Sequence, residues 1–318
     1  MTAVAVPPPG PHGGDGPRLA AALGVDPGAV LDLSLNLNPA APDAGEVVGK
    51  HLHAVSRYPD PRTATEALAV ALGVGAERVL LTNGGAEAIA LVAAEVGGTV
   101  DEPDFALYPR GGGPRWRSNP HNPSGRLEPA DTPAGVWDEA FYPLATGRWT
   151  RGDADAGAVV VGSLTKVLAC PGLRAGYVLA PDAATARRLA GRQTTWSVNG
   201  LAAAALPDLL AAADLAGWML QVAAWRADLV EMLRARGLRV TVADAPWVLV
   251  HHAGLRARLA PAGVAVRDCG SFGMAGVARV AVPPPAGLAR LAAALDAAGV
   301  HPAAEHPGAQ AGRRGGRP

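Results

Sequence analysis

Short, uninterrupted apolar runs alternate with Ala- and Leu-rich helical stretches through the first 200 residues. Apolar runs of strand length lie at 78–82, 158–162 and 176–180, and a helical stretch at 86–96 follows the first of them. Strands that are apolar on both faces are typical of a parallel sheet with helices packed on each side. The pattern therefore predicts an α/β domain with a mainly parallel sheet.

The pattern changes after about residue 200. A helical region is predicted over 201–236, with interruptions near Pro207 and Gly217. Short strands are predicted at 239–242, 247–251, 264–267 and 278–282, with helices near 254–260 and 286–297. This mixture indicates a smaller α+β domain that follows the large one.

Proline, glycine and few apolar groups mark both ends of the chain, which we expect to be a flexible arm and a disordered basic tail. The predicted units are the arm (1–17), an N-terminal segment that joins the small domain (18–34), the large domain (35–200), the small C-terminal domain (201–301) and the tail (302–318).

Composition excludes several classes of protein. With 28 basic and 28 acidic side chains the net charge is zero, which argues against a protein that binds nucleic acid or anionic lipid. No uncharged run is long enough to span a bilayer, and no secretory signal is recognisable near Met1. Two cysteines cannot form a disulfide framework, and no metal-ligand spacing occurs. We therefore expect a cytoplasmic protein without a metal.

Lysine is rare in this chain. Lys50 and Lys166 are its two lysines, whereas the other basic residues are arginine. A lysine in such a background is a candidate for chemistry that arginine cannot perform, because an amine can lose its proton and form an imine. Lys50 lies in a helical stretch and is expected to be a surface residue.

Several reactive side chains follow predicted strands. Asp138 ends a short apolar run, and Lys166 comes directly after a strand together with the hydroxyls of Ser163 and Thr165. Arg174 lies eight residues farther along the chain. Ligands of open α/β sheets bind just outside such strand ends. An amine, a carboxylate and a cationic, hydroxyl-rich pocket are what pyridoxal 5′-phosphate requires for its aldehyde, ring nitrogen and phosphate.

A glycine-rich turn follows the strand at 78–82. Gly85 and Ala86 begin the predicted helix there, where unpaired backbone N–H groups and the helix dipole favour an anion. Taken alone, Gly-Gly after a strand is more typical of an ordinary turn.

These motifs resemble the signature of fold-type-I, class I/II aminotransferases. The segments that carry the resemblance are 138–141 (DEAF), 163–166 (SLTK) and 172–176 (GLRAG), with further matches at 57–60 (RYPD), 103–105 (PDF), 119–125 (NPHNPSG) and 278–280 (ARV). The nearest branch comprises histidinol-phosphate aminotransferase and the threonine-phosphate decarboxylase of cobalamin biosynthesis.

The resemblance implies the PLP-dependent transferase (aspartate aminotransferase-like) fold, the cofactor pyridoxal 5′-phosphate, a small amino-acid substrate and a homodimer. It implies that Lys166 is the Schiff-base residue and moves protons, and that Asp138 pairs with the ring nitrogen. The other cofactor-binding residues it implies are Gly85, Ala86, Phe105, Asn122, Ser163, Thr165, Arg174 and Tyr58, the last serving the neighbouring subunit. Substrate-binding residues implied in the same way are Arg279, Arg267 and Asn36.

The reaction is left open by the residues themselves. Segments 12–15 (HGGD), 33–39 (LSLNLNP) and 267–272 (RDCGSF) resemble the decarboxylase branch, so a threonine-phosphate decarboxylase-like enzyme acting on a small phosphorylated amino acid is expected. An aminotransferase like histidinol-phosphate aminotransferase is the alternative. A family member that binds the cofactor with little or no turnover is a third hypothesis, because the large domain is short around 106–118 and Phe141 replaces a common tyrosine.

Overall fold

The computed structural model describes residues 6–10 and 12–300. Its α-helices in chain order are α1 (Gly16–Leu23), α2 (Ala44–Gly49), α3 (Arg62–Leu72), α4 (Gly85–Val96), α5 (Tyr142–Thr146), α6 (Leu164–Val167), α7 (Ala183–Ala190), α8 (Gly200–Ala211), α9 (Leu215–Ala235), α10 (Leu255–Leu259) and α11 (Pro285–Ala297). Its strands are β1 (Leu31–Asp32), β2 (Val79–Asn83), β3 (Trp116–Ser118), β4 (Val136–Asp138), β5 (Val159–Ser163), β6 (Ala175–Leu179), β7 (Arg239–Val242), β8 (Trp247–His251), β9 (Val264–Ala265), β10 (Arg267–Asp268) and β11 (Val277–Ala281). Short 3-10 helices occupy Pro27–Ala29, Leu52–Ser56, Ala76–Arg78, Asp153–Ala156, Pro171–Leu173, Ala260–Ala262 and Gly270–Phe272.

The larger sheet of the described chain has the strand order β2-β6-β5-β4-β3. Strands β3, β4 and β5 pair in parallel, and β6 runs antiparallel between β5 and β2. Four of its five described strands therefore share one direction, which confirms the predicted mainly parallel sheet. Asp138 pairs with Ser118 on one side and Val161 on the other, so the carboxyl ends of β3, β4 and β5 lie close together.

Helices cover both faces of this sheet, as the apolar strands predict. Val160 and Trp137 are buried with side chains of α3 and α8, whereas Val159 and Val161 are buried with Ile89 of α4. Because successive strand residues point to opposite faces, β5 contributes to both cores at once.

A second, antiparallel sheet has the order β10-β11-β8-β7 and packs with α9 and α11 around a separate core. The N-terminal segment belongs with it, because Leu31 of β1 pairs in parallel with Val264 of β9 and the buried Leu33 lies in the same core. The smaller unit is thus the α+β domain.

The boundary between the two domains differs from the predicted one at residue 200. Helix α8 packs on α3, with Leu206 buried in the core of the large domain. The start of α9 contributes Leu215 and Trp218 to that same core, and Val222 is the first α9 side chain in the small-domain core. The boundary therefore lies inside α9, where one continuous helix crosses between the domains.

Two interruptions are predicted, near Pro207 and near Gly217, whereas the structure has a single one at 212–214, between them. Both residues lie within helices, and the chain instead bends by 83° between α8 and α9. The bend is stabilised by the N-cap of α9, because the Asp214 carboxylate accepts a hydrogen bond from the Gly217 N–H and so begins a new helix.

The prediction of a flexible arm over 1–17 is also corrected where the structure describes it. The Asp15 carboxylate accepts from the Gly10 N–H at 3.1 Å, and the Arg256 guanidinium donates to the Pro7 carbonyl at 2.7 Å. The Arg267 guanidinium donates to the Gly10 carbonyl at 2.5 Å. Buried polar contacts thus hold a segment that its glycines and prolines alone would leave loose.

The tail predicted at 302–318 lies outside the described residues. Among the helices that are described, none alone is long and apolar enough to cross a membrane; α8 and α9 meet those criteria only when taken together as a bent pair.

Candidate active site

A cavity of about 370 Å³ opens at the carboxyl ends of β3, β4 and β5. Its lining includes most of the residues predicted for the site: Gly85, Ala86, Phe105, Asn122, Asp138, Ser163, Thr165, Lys166, Arg174 and Arg279. Residues far apart in the chain meet here because parallel strands end at one edge of the sheet.

One end of the cavity is shaped for an anion. The amino terminus of α4 begins at Gly85, directly after Gly84, whose φ of +80° favours glycine. A side chain at Gly84 would overlap the Arg174 guanidinium, and a Cβ at Gly176 would lie 2.5 Å from the Gly85 nitrogen. Glycines therefore let a guanidinium and a row of backbone N–H groups approach one point, which suits a phosphate.

Lys166 lies on α6, where its amine donates a hydrogen bond to the Leu35 carbonyl at 3.0 Å. Burial, together with the nearby guanidinium groups of Arg279 and Arg174, lowers the pKa of Lys166 to about 8. Asp32 acts in the opposite direction. Since an unprotonated fraction persists near neutral pH, this amine can act as a nucleophile. Lys50, at the end of α2, is exposed.

Asp138 presents a half-buried carboxylate at the end of β4. Its Oδ2 accepts from the Tyr108 hydroxyl at 2.7 Å, and its Oδ1 accepts from the Ala140 N–H at 2.9 Å. Both donors are neutral, and burial raises the pKa of Asp138 above its ordinary value. A cation in the cavity would stabilise this carboxylate as an anion.

Arg279 is the buried cation on the opposite wall, on β11. One terminal nitrogen donates to Asn122 Oδ1 at 2.6 Å. With the Asn36 amide turned so that its oxygen faces Arg279, that oxygen accepts from Nε and Nη2 at 3.0 Å each. Burial lowers the pKa of Arg279 to about 10. Two amides thus fix a guanidinium whose charge they do not neutralise, an arrangement suited to a carboxylate ligand.

Three predicted site residues lie away from the cavity lining. The Arg267 guanidinium is buried and donates to the Gly10 carbonyl and the Ser271 hydroxyl. Tyr58 is 77 % exposed and stacks on Trp196 with ring centroids 4.3 Å apart. Asn36 lies behind Arg279 rather than in the lining.

Sequence reasoning missed two groups that the structure brings to the cavity. Tyr108 is buried and bonds Asp138 across 30 residues of sequence, a pairing with no local signal. His12 and Gly13 line the mouth, with the His12 ring set edge-on to Phe105 at a centroid distance of 5.8 Å. The neighbouring Gly14 N–H donates to the hydroxyl of Ser34 at 2.8 Å. Since Ser34 also lines the cavity, this bond fixes the arm beside it.

Comparison with known proteins agrees with this geometry. A profile of the aminotransferase class I and II family matches residues 118–295. Threonine-phosphate decarboxylase of Salmonella typhimurium is 30% identical over 283 residues, which cover 72% of this chain and 75% of that protein. A histidinol-phosphate aminotransferase of Mycobacterium tuberculosis is 35% identical over 148 residues, 43% of this chain and 40% of that protein.

Solved structures show the same fold. The histidinol-phosphate aminotransferase of Sinorhizobium meliloti, in complex with pyridoxal-5′-phosphate, superposes with a TM-score of 0.77 at 18% identity, covering 94% of this chain and 97% of that one. The L-threonine-O-3-phosphate decarboxylase of Porphyromonas gingivalis gives a TM-score of 0.71 at 22% identity, covering 84% and 98%. The fold expected from the motifs is confirmed.

Asp104 supplies a pH test of this region. It is 5 % exposed, its Oδ1 accepts from the Phe105 N–H and the Ser118 hydroxyl, and burial raises its pKa from 3.8 to about 7. The folded chain therefore binds a proton that the unfolded chain releases, so stability is lost as pH rises from about 4 to above 7. Asp104→Asn keeps the acceptor oxygen and abolishes this pH-dependent loss. The loss amounts to at most about 4 kcal/mol in the free energy of unfolding.

We expect Asp104→Asn to unfold like the wild type near pH 4 and at higher temperature than the wild type at pH 8.5. Thermal unfolding of the cofactor-free protein at both values measures this, with Asp131→Asn at an exposed position as the matched control. Equal dependence on pH in wild type and Asp104→Asn would show that the carboxyl ionises freely.

Proposed function

This chain belongs to the class I and II aminotransferase family, and from that membership we propose that it is a threonine-phosphate decarboxylase-like enzyme of cobalamin biosynthesis. It is a pyridoxal 5′-phosphate-dependent enzyme, as its family membership establishes. Its proposed substrate is a small phosphorylated amino acid.

The cavity fits the cofactor at three points. The amino terminus of α4 and the Arg174 guanidinium would hold the phosphate, with the hydroxyls of Ser163 and Thr165 beside them. The Thr165 hydroxyl itself donates to the Ala175 carbonyl at 3.3 Å, which fixes its orientation. Lys166 would bind the aldehyde carbon of the cofactor, because the lowered pKa of its amine leaves a nucleophilic fraction near neutral pH.

Asp138 would hold the ring nitrogen. The bound cofactor supplies a protonated pyridine ring that withdraws electrons from the substrate Cα. Asp138 keeps that nitrogen protonated by remaining an anion, and the Tyr108 hydroxyl helps it to do so by donating to Oδ2. Phe105 lines the same cavity and would flank the ring.

Arg279 would bind the substrate carboxylate. Asn122 and Asn36 fix its guanidinium from two sides, so the direction in which a bidentate carboxylate leaves the Cα is set by the protein. The Cα bond that breaks depends on how the bond between Cα and the carboxylate is oriented relative to the cofactor ring. A carboxylate held perpendicular to the cofactor ring is poised for loss as carbon dioxide.

The arm segment at the mouth of the cavity is the observation that carries the choice of substrate. His12 and Gly13, from the segment that resembles the decarboxylase branch, line the same cavity as Lys166. The imidazole adds a hydrogen-bond donor beyond the cations assigned to the cofactor phosphate and the substrate carboxylate. A substrate phosphate is the group that such a donor at the mouth suits.

Transamination is the second candidate. The resemblance to a histidinol-phosphate aminotransferase at 35% identity covers 43% of the chain and favours it. In that reaction Lys166 Nζ would take a proton from the substrate Cα, which its pKa of about 8 permits near neutral pH.

A product assay with O-phosphothreonine separates the two reactions. With no 2-oxo acid present, the proposal predicts equal amounts of carbon dioxide and the phosphorylated amino alcohol, because the Cα–carboxylate bond is replaced by Cα–H. Threonine without the phosphate is the matched control and should react at least tenfold more slowly, since a charge-assisted contact contributes about 1.5–3 kcal/mol. Turnover that requires a 2-oxo acid and releases no carbon dioxide would identify a transaminase instead.

We further propose that the enzyme is a cytoplasmic homodimer in which each Tyr58 serves the neighbouring site. Tyr58 and Trp196 form an exposed stacked pair outside the cavity of their own chain. Two exposed aromatic side chains held against each other are suited to an interface.

Subunit mixing tests the shared site. Tyr58→Ala and Lys166→Ala should each be impaired as homodimers, because each lacks one part of every site. After random subunit exchange, half of the dimers are hybrids, and each hybrid has one intact site out of two. About a quarter of the wild-type activity should therefore return. Activity that stays at the mean of the two parents would mean that Tyr58 does not act in the neighbouring site.

A further inference from the structure

The segment 97–115 carries three cavity-lining residues, Phe105, Leu107 and Tyr108, although it forms no helix and only an isolated β-bridge. Its ends are closed by backbone hydrogen bonds, from the Gly98 N–H to the Gly112 carbonyl and from the Gly111 N–H to the Gly98 carbonyl. The middle of the segment holds Phe105 and Tyr108, whose placement must come from other contacts.

Arg110 supplies several of those contacts, in addition to the hydrogen bond from the Tyr108 N–H to the Phe105 carbonyl at 3.1 Å. Its Nε donates to the Glu102 carboxylate at 2.7 Å, and its Nη1 donates to the Tyr108 carbonyl at 2.6 Å. The Phe105 carbonyl lies 3.3 Å from both terminal nitrogens. The same two nitrogens also donate to the Ala106 carbonyl at 3.3 Å and to the Asp104 carbonyl at 3.4 Å. One guanidinium thus gathers the backbone of the whole turn into a single cluster.

Two side chains of this turn, Tyr108 and Phe105, contact each other beside Asp138 in the proposed cofactor site. The Tyr108 hydroxyl donates to Asp138 at 2.7 Å, and its ring lies edge-on to Phe105 at a centroid distance of 5.6 Å. Movement of the turn would displace Phe105 and withdraw the donor from Asp138 together, because both are fixed through the same short backbone.

We propose that Arg110 is a positioning residue of the cofactor site, which acts by holding the backbone of Phe105 and Tyr108. The proposal rests on the cofactor site assigned above. The fork of the guanidinium, rather than its charge, is the property required, because the contacts that matter are with neutral carbonyls. The ion pair with Glu102 is exposed and adds little.

The affinity of the full chain for pyridoxal 5′-phosphate, titrated by visible absorbance, tests the proposal. Arg110→Gln should raise the dissociation constant about tenfold, the equivalent of one lost hydrogen bond. Arg110→Lys keeps the charge beside Glu102 but not the fork, and should lose affinity as well; it replaces the Gln variant if that one does not fold. Arg115→Gln is the matched control, because Arg115 makes an exposed ion pair with Asp101 in the same segment.

A double-mutant cycle with Tyr108→Phe distinguishes positioning from general stability. If Arg110 acts through Tyr108, the loss caused by Arg110→Gln is smaller in the Tyr108→Phe background than in the wild type. Additive losses, or equal affinities in Arg110→Gln and Arg115→Gln, would overturn the proposal. A wild-type chain that binds no cofactor would instead contradict the cofactor site.

Discussion

Burial of the Lys166 amine beside the guanidinium groups of Arg279 and Arg174 is the interaction on which the rest of the site depends. These cations share a cavity from which much water is excluded, so the charged form of lysine is disfavoured and its pKa falls to about 8. Arginine could not respond in this way, since it keeps its proton. Phosphate and carboxylate groups of bound molecules would relieve the repulsion, which links the reactivity of the amine to the binding of anions.

The fold holds these cations in place through its backbone. Parallel strands bring Asp138 and Lys166 to one edge of the sheet. Gly84 leaves room for the Arg174 guanidinium, and Gly176 leaves room for the backbone at the start of α4. The small domain contributes Arg279 from an antiparallel strand, and β1 ties the N-terminal segment to that domain. A helix that crosses both cores, α9, joins the two walls of the cavity.

Sequence predicted the parts of the site that depend on strand ends. Asp138 and Lys166 follow apolar strands and Arg174 directly precedes another, so their meeting could be inferred from the topology. Tyr108 could not be found in this way, because its role depends on an irregular turn held by Arg110. Arg267 was predicted as a substrate ligand, yet its guanidinium donates to the Gly10 carbonyl of the arm and to the Ser271 hydroxyl. The domain boundary was misplaced because the apolar surface of α8 does not reveal which core it enters.

Because lysine is rare in this chain, we expect one amine, that of Lys166, to carry out its covalent chemistry. Reduction of the purified protein with sodium borohydride fixes a carbonyl cofactor on the amine that holds it, and peptide mass spectrometry then locates the added mass. We predict the pyridoxyl phosphate mass on the peptide that contains Lys166 and none on the peptide that contains Lys50. Modification of Lys50, or an unmodified Lys166 in protein that carries the cofactor, would contradict this prediction.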